Sequence, residues 1–273
     1  MNQVQEVINT KKTMEWKIVS LYSGSKGNAI FIRVGKDAIL IDAGKSARAL
    51  CNALREIGSD ISEICAIFVT HDHHDHTSAL EMIAKYHEIP IHMTAASAVI
   101  FDRTPDAPIH ARLVRHEPSF CVTVGEMTVR SFRTSHDSRM SVGYRIEFSD
   151  GEETHALGVA TDLGYVSEEV REGLLGCDAV VLESNHDAEM LRTGSYPYDL
   201  KRRIASRYGH LSNADSAAFC SELSEGGTKA ILLAHLSEEN NEPNLALNEA
   251  LCAVGDDGVC VCVASPDCPT YLR

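Results

Sequence analysis

A chain of 273 residues, 44% hydrophobic and 23% charged, has enough apolar material for one large α/β domain or two small ones. Its 39 acidic against 25 basic side chains leave a net charge of -14, which counts against gripping a nucleic-acid backbone with the whole surface but not against a local basic strip beside metal ions. No apolar run approaches the ~20 residues of a membrane span and residues 1–17 lack the apolar core of a signal peptide, so no membrane partner is expected and the predicted compartment is the cytoplasm.

Residues 1–13 lack periodicity, so residues 1–15 are expected to be an unstructured lead-in to a single domain over 16–273. Alternation predicts a strand over 16–22 and a tight loop over Ser23-Gly24-Ser25-Lys26-Gly27-Asn28. Strands over 29–34 and 38–41 follow, the latter ending at Asp42, and then a helix over 46–57 that Gly58 stops. The apolar run 64–69 reads as a buried strand that breaks into His71-Asp72-His73-His74-Asp75-His76, a loop of four histidines and two aspartates ahead of a helix from Thr77 to His87.

Beyond it, the pattern predicts a strand over 89–93, a helix over 95–101, and strands over 109–114, 120–124, 127–134, 142–148 and 154–160. A helix over 166–175, a strand over 179–182 and helices over 198–208 and up to Leu223 come next, the last with Ser212 or Asn213 as N-cap. A strand over 229–233 and residues 245–252 and 259–263 complete the pattern. The nine cysteines are scattered; Cys260 and Cys262 alternate along a strand and are expected to be buried reduced thiols rather than a metal site.

One event recurs: an apolar strand ends in a side chain able to ligate a metal, at Asp42, the His71 cluster, His136, Asp162, Glu183 and His235. In α/β sheets such ends converge on a cleft, so these six predict one site between two similar halves. Imidazole nitrogen suits zinc and carboxylate oxygen suits harder ions, and a mixed set in one loop serves two adjacent ions.

Asp42, His71-x-His73-x-Asp75-His76, His136, Asp162 and His235 stand in the order of the metallo-β-lactamase-fold hydrolases, which the chain resembles over nearly its whole length. The resemblance implies a four-layer αβ/βα sandwich of mixed sheets with helices on the outer faces. It also implies two divalent ions per chain, zinc or manganese with iron also admissible. His71, His73 and His136 would hold one, Asp75, His76 and His235 the other, and Asp162 would bridge them. Asp42 would steady a ligand histidine or a loop amide instead of touching metal. A bridging Asp argues against a drug-degrading lactamase, whose best-known classes lack it.

The stretches from Ser20 to Ala29, Glu183 to Asp187 and Gly209 to Asn213 look like the YycJ (WalJ) branch, which is similar to tRNase Z and associated with exonuclease activity on DNA. Tyr22 stands where that branch is expected to have a small residue. The long arm with which tRNase Z clamps tRNA has no counterpart. The expected function is therefore phosphodiester hydrolysis of DNA, with a hydroxide between the ions as nucleophile and Asp75 able to take its proton. By similarity to the tRNase Z loop, His210 would protonate the leaving oxygen and Glu183 would orient it. Ser23, Gly24, Ser25, Asn28, Asn185, His186, Ser212 and Asn213 are candidates to hold a phosphate.

His87, His92, His110, His116 and His155 lack motif context and are read as structural or surface residues. Lys201-Arg202-Arg203 with Arg207 is either a solvated helix face or a strip for a phosphodiester backbone. The acidic surface favours the alternative of a thioesterase or lactonase acting on a small carbonyl compound. A non-enzymatic scaffold would show a broken ligand set, whereas every ligand position here is filled.

Overall fold

The computed structural model describes residues 15–255 and 258–272, and the expectation for residues 1–14 lies outside them. Six strands open the chain: β1 (Trp16–Tyr22), β2 (Ala29–Val34), β3 (Asp37–Ile41), β4 (Ile64–Phe68), β5 (Ile91–Thr94) and β6 (Leu113–His116). Seven more follow: β7 (Cys121–Val124), β8 (Met127–Arg133), β9 (Val142–Ser149), β10 (Thr154–Ala160), β11 (Ala179–Glu183), β12 (Ala230–Ala234) and β13 (Cys260–Val263). A last short strand, β14 (Thr270–Leu272), returns to β1.

Among the described residues these strands make two seven-stranded sheets, ordered β14-β1-β2-β3-β4-β5-β6 and β13-β12-β11-β10-β9-β8-β7. The sheets share one plan. Antiparallel pairing holds as far as β3 in the first and β10 in the second, and parallel pairing continues from there to β6 and β13. Parallel neighbours send their carboxyl ends to the same edge, so the chain leaves β3 and β4, and likewise β10, β11 and β12, where a cleft can form.

The helices are α1 (Ala47–Glu56), α2 (His74–Thr77), α3 (Leu80–Tyr86), α4 (Ala95–Ala98), α5 (Glu168–Leu174), α6 (Ala188–Thr193), α7 (Tyr198–Ile204), α8 (Asn213–Glu225) and α9 (Pro243–Val254). The period-2 alternation of the strands sorts side chains into layers. Ile39, Ile41 and Phe68 point into a central core with Tyr144, Val159, Val181 and Leu232, whereas Leu40 and Ile67 face Leu50, Leu54 and Ile83 of α1 and α3. Val180, Leu182, Ile231 and Leu233 face Phe219 and Leu223 of α8 and Ala250 of α9 on the opposite outside. The result is the four-layer αβ/βα sandwich expected.

Several elements differ from the sequence reading. Ile109 is buried in a 3₁₀ turn that Pro108 opens, because proline suits the first helical position, and the strand starts only at Leu113. The second helix begins inside the histidine cluster, so Asp75 and His76 ride on α2 and not on a loop. Cys260 lies on the edge strand β13 and is exposed, against the expected burial, while Cys262 is half-buried. All nine cysteines are free thiols.

Candidate metal centre and its cavity

Among the described residues, the non-glycine positions with positive φ are Asp42 (64°), Asp162 (56°) and His235 (58°). Each follows a strand: β3, β10 and β12. Left-handed backbone at such residues is costly and gathers at functional sites; Asp and His tolerate it better than most. The three sharp turns aim these side chains into the gap between the sheets.

Four imidazoles are oriented by their Nδ1 atoms. His76 Nδ1 donates to Asp42 Oδ2 at 2.8 Å. Thr70 Oγ1 donates to the same oxygen at 2.9 Å, so that hydroxyl is left to accept from His71 Nδ1 at 3.0 Å. His136 Nδ1 donates to the Gly209 carbonyl at 2.9 Å, and His235 Nδ1 to Glu183 Oε1 at 2.9 Å. Fixing one ring nitrogen in this way leaves the Nε2 lone pair free and directed, as in metal-binding histidines.

Those Nε2 atoms converge on Asp162. Its carboxylate lies 3.2 Å from His76 Nε2, 3.5 Å from His235 Nε2 and 3.7 Å from His136 Nε2. His73 Nδ1 joins from the side, 3.3 Å from His136 Nε2, and Asp75 Oδ2 lies 3.5 Å from His76 Nε2 and 3.7 Å from His235 Nε2. Ligand-grade atoms within 4.8 Å of one another form the sets His71, His73, His136 and Asp75, His76, His235; Asp162 with His71 and His76 forms a third that overlaps both, and Asp162 with Glu183, His210 and His235 a fourth.

The donors suit a divalent cation. The Nε2 atoms of His71 and His235 are buried and have no hydrogen-bond partner, a costly arrangement unless an ion takes their lone pairs. Electrostatics agree. Burial opposes charge on Asp162, but the neighbouring His235 and His76 hold its carboxyl well below the usual carboxylate range. Burial would strip the proton from His235, yet Asp162, Asp75 and Glu183 raise its pKa to about 10; against the same burial, Asp162 and Asp42 hold His76 well above the ordinary histidine range. Burial, and then the charge of His76, push His71 well down. The carboxylates thus demand positive charge at this point, which protons supply until a metal displaces them.

Glu183 anchors the other wall. It is fully buried. Its Oε1 accepts from His210 Nδ1 at 2.7 Å, and its Oε2 accepts from the amides of Leu163 at 2.8 Å and Leu211 at 3.2 Å. Burial works against this charge, but His210 and His235 bring its pKa down to about 2. The geometry joins Glu183 to His210, as the sequence suggests, and also to His235, which the sequence reading missed.

A cavity of about 260 Å³ opens over the cluster, lined by His73, Asp75, His136, Asp162, His210 and His235. Of the residues expected to hold a phosphate, Ser25 and Asn185 line it, although the buried Asn185 amide also donates to the His235 carbonyl at 2.8 Å. The others are committed elsewhere. Ser23 Oγ accepts from the His235 amide, Gly24 and Asn28 bond each other, and the Asn28 side chain reaches Asp75 and His76. Ser212 caps α8, Asn213 bonds Ser184 and Asn241, and His186 is buried. These residues hold the loops rather than line the cavity, because short polar side chains at strand ends find backbone partners first.

Sequence reasoning also missed the wall formed by Tyr196, Leu200 and Ile204, although α7 buries no residue fully. The basic strip divides. Arg203 lines the cavity and pairs with Asp137; Lys201 donates to the Arg192 and Gly194 carbonyls; Arg207 stacks over Tyr165 at 4.3 Å. His92 and His116 stack together away from the centre, as structural residues.

Comparison with known proteins follows this geometry. A model of the beta-lactamase superfamily domain matches residues 37–236. The exodeoxyribonuclease YycJ of Bacillus anthracis is 35% identical over 235 residues, covering 83% of this chain and 84% of that protein. Two solved structures share the fold: the metallo-beta-lactamase fold protein YhfI from Bacillus subtilis (TM-score 0.69, 18% identity, 95% and 100% of the two chains) and the short form of human tRNase Z (TM-score 0.61, 14% identity, 93% and 98%). No helix among the described residues is long and apolar enough to cross a membrane.

Proposed function

This chain belongs to the beta-lactamase superfamily, in its YycJ (WalJ) branch, and from that premise we propose that it is a two-metal phosphodiesterase that degrades DNA as an exonuclease. It is a metal-dependent hydrolase. The observation that carries the finer reading is the placing of Asp162, a buried carboxylate within 3.2–3.8 Å of nitrogens from His76, His136, His210 and His235. One carboxylate so surrounded suits a bridge between two cations.

By this reading His71, His73 and His136 hold one ion and Asp75, His76 and His235 the other. Bound there, two divalent ions supply an activated water and charge stabilisation for an in-line displacement at phosphorus. Asp75, on the cavity wall, takes up a proton. His210, on the cavity wall with Nδ1 held by Glu183, protonates the leaving oxygen. Ser25 and Asn185 contact the phosphate. The name of the Bacillus anthracis relative, an exodeoxyribonuclease, supports DNA as the substrate.

The test is hydrolysis of bis(p-nitrophenyl) phosphate and of an end-labelled DNA duplex by metal-stripped protein refilled with Mn²⁺ or Zn²⁺. Metal-dependent cleavage that Asp162→Ala abolishes is the expected result. Protein that holds two ions yet cleaves neither compound would overturn the phosphodiesterase reading and redirect the search to thioesters and lactones.

A further inference from the structure

Beside the metal cavity runs a second groove of about 460 Å³, and His136 lines both. We propose that this groove is a nucleobase site, in which Tyr208 stacks on the base next to the cleaved phosphate. The proposal rests on the nuclease reading above and deepens it by naming where the terminal base is held.

The walls of the groove belong to the loops that carry the centre. Tyr208 lies two residues before His210, and its carbonyl accepts from the Asp137 amide at 2.9 Å. Tyr165 follows Asp162 by three residues, and the Gly164 amide donates to the Ser135 carbonyl at 2.8 Å. The two loops interlock: a Cβ on Gly164 would lie 2.3 Å from the Arg207 carbonyl carbon. Whatever enters the groove is therefore held in register with the reacting phosphate.

Its chemistry fits a base. Tyr208 is 64% exposed, and no ring or cation stacks on it among the described residues. Its backbone, tied to Asp137 and Ser206, makes it a platform already in position. Tyr165 offers a second ring, backed by the Arg207 guanidinium at 4.3 Å. Arg133 is exposed and without a carboxylate partner among the described residues, free to meet a phosphate at the rim. The Ser138 hydroxyl is buried and has no partner. Glu168 and Glu169 stand in the same lining, where they repel a phosphate but accept from the amino groups of a base. Two rings, an unpaired cation and acids in one lining describe the place of a single nucleotide, not of a continuous backbone. A duplex offers a base to it only where its terminal pair opens.

The test measures binding by fluorescence anisotropy. A labelled single-stranded hexanucleotide with phosphorothioate linkages, and its abasic counterpart, are titrated with metal-loaded protein: wild type, Tyr208→Ala, Tyr208→Phe, and Tyr86→Ala as a control on the distant helix α3. The expected result is that wild type, Tyr208→Phe and Tyr86→Ala bind the base-bearing strand about tenfold more tightly than the abasic one, and that Tyr208→Ala binds both alike. Equal binding of the two strands by wild type, no binding of either, or a preference that survives in Tyr208→Ala would overturn the proposal. Cleavage of the unmodified strand is read separately. Base-dependent binding without cleavage sinks the nuclease reading and keeps the groove, whereas cleavage with Tyr208-independent binding does the reverse.

Discussion

Glu183 Oε1 lies 2.7 Å from His210 Nδ1, and the same oxygen lies 2.9 Å from His235 Nδ1. One buried carboxylate therefore steadies both the expected proton donor and an expected metal ligand. Removing either histidine affects one role; altering Glu183 affects both. His210→Ala is expected to keep its metal and lose about 100-fold or more in turnover. Glu183→Gln is expected to lose turnover and, in addition, about 10- to 100-fold in metal affinity, since its NH2 would meet either the Leu163 and Leu211 amides or the Nδ1–H groups of His210 and His235 donor to donor. Metal content by elemental analysis, beside turnover of bis(p-nitrophenyl) phosphate, separates the two. Metal loss in His210→Ala would contradict the division of roles.

Asp42 does for His76 what Glu183 does for His235, and it does so from left-handed backbone at φ 64°. Both of its oxygens are used, Oδ1 by the Thr70 amide at 2.8 Å and Oδ2 by His76 and the Thr70 hydroxyl. Asn tolerates the same backbone, so Asp42→Asn removes the charge and one acceptor without that strain, while Asp42→Ala adds conformational strain of about 1–2 kcal/mol. The expected order of metal affinity is wild type, then Asp42→Asn about 10- to 100-fold weaker. Thermal unfolding should place Asp42→Ala lowest of the three. Equal metal affinity in Asp42→Asn and wild type would show that His76 needs no anchor.

Gly44 lies against the backbone of α2, which carries Asp75 and His76. A Cβ there would sit 1.5 Å from the Asp75 carbonyl oxygen and 2.6 Å from the Asn28 amide, a clash between backbones that no side-chain rotation relieves. Gly44→Ala must move α2 and with it two expected ligands. A destabilisation of about 1–3 kcal/mol is expected from such overpacking, together with loss of the second ion. Denaturant unfolding with a parallel metal count is the check, and an unchanged metal count would show that α2 accommodates the methyl group.

Much of this centre was legible because ligand-grade residues end apolar strands, and a strand end is visible as the point where alternation stops. Asp42, Asp162, Glu183 and His235 all lie at such points. Sequence could not show which polar loop residues face the cavity. Ser25 and Asn28 belong to one loop, yet Ser25 lines the cavity while Asn28 bonds Gly24 and Asp75. That choice depends on backbone carbonyls brought near by folding. Leu200 and Ile204 were illegible for another reason, because apolar residues at helical spacing predict a face packed on the core, whereas on α7 they line the cavity. The strand β14 is three residues long and follows Pro269, too short to show a period.

Away from the metal centre, His92 gives a separate expectation for acid stability. Its ring stacks between Phe68 at 4.8 Å and His116 at 5.2 Å, with Nδ1 2.9 Å from His116 Nε2. Burial first, and then the charge of His116, bring its pKa down to about 4. An unfolded histidine takes its proton near pH 6.5, at roughly the ordinary value. Between these values the unfolded chain binds the proton and the folded chain does not. The neutral, buried ring therefore contributes its full stability above pH 6.5, and that contribution is lost as the pH falls toward 4. His92→Phe keeps the stack and removes the titration. The melting temperature of the wild type is expected to fall more steeply from pH 6.5 to 4 than that of the variant, while above pH 6.5 the two differ by a constant amount. Parallel curves through the acid range would mean that His92 takes its proton without leaving the stack, and that the acid sensitivity of the fold arises elsewhere.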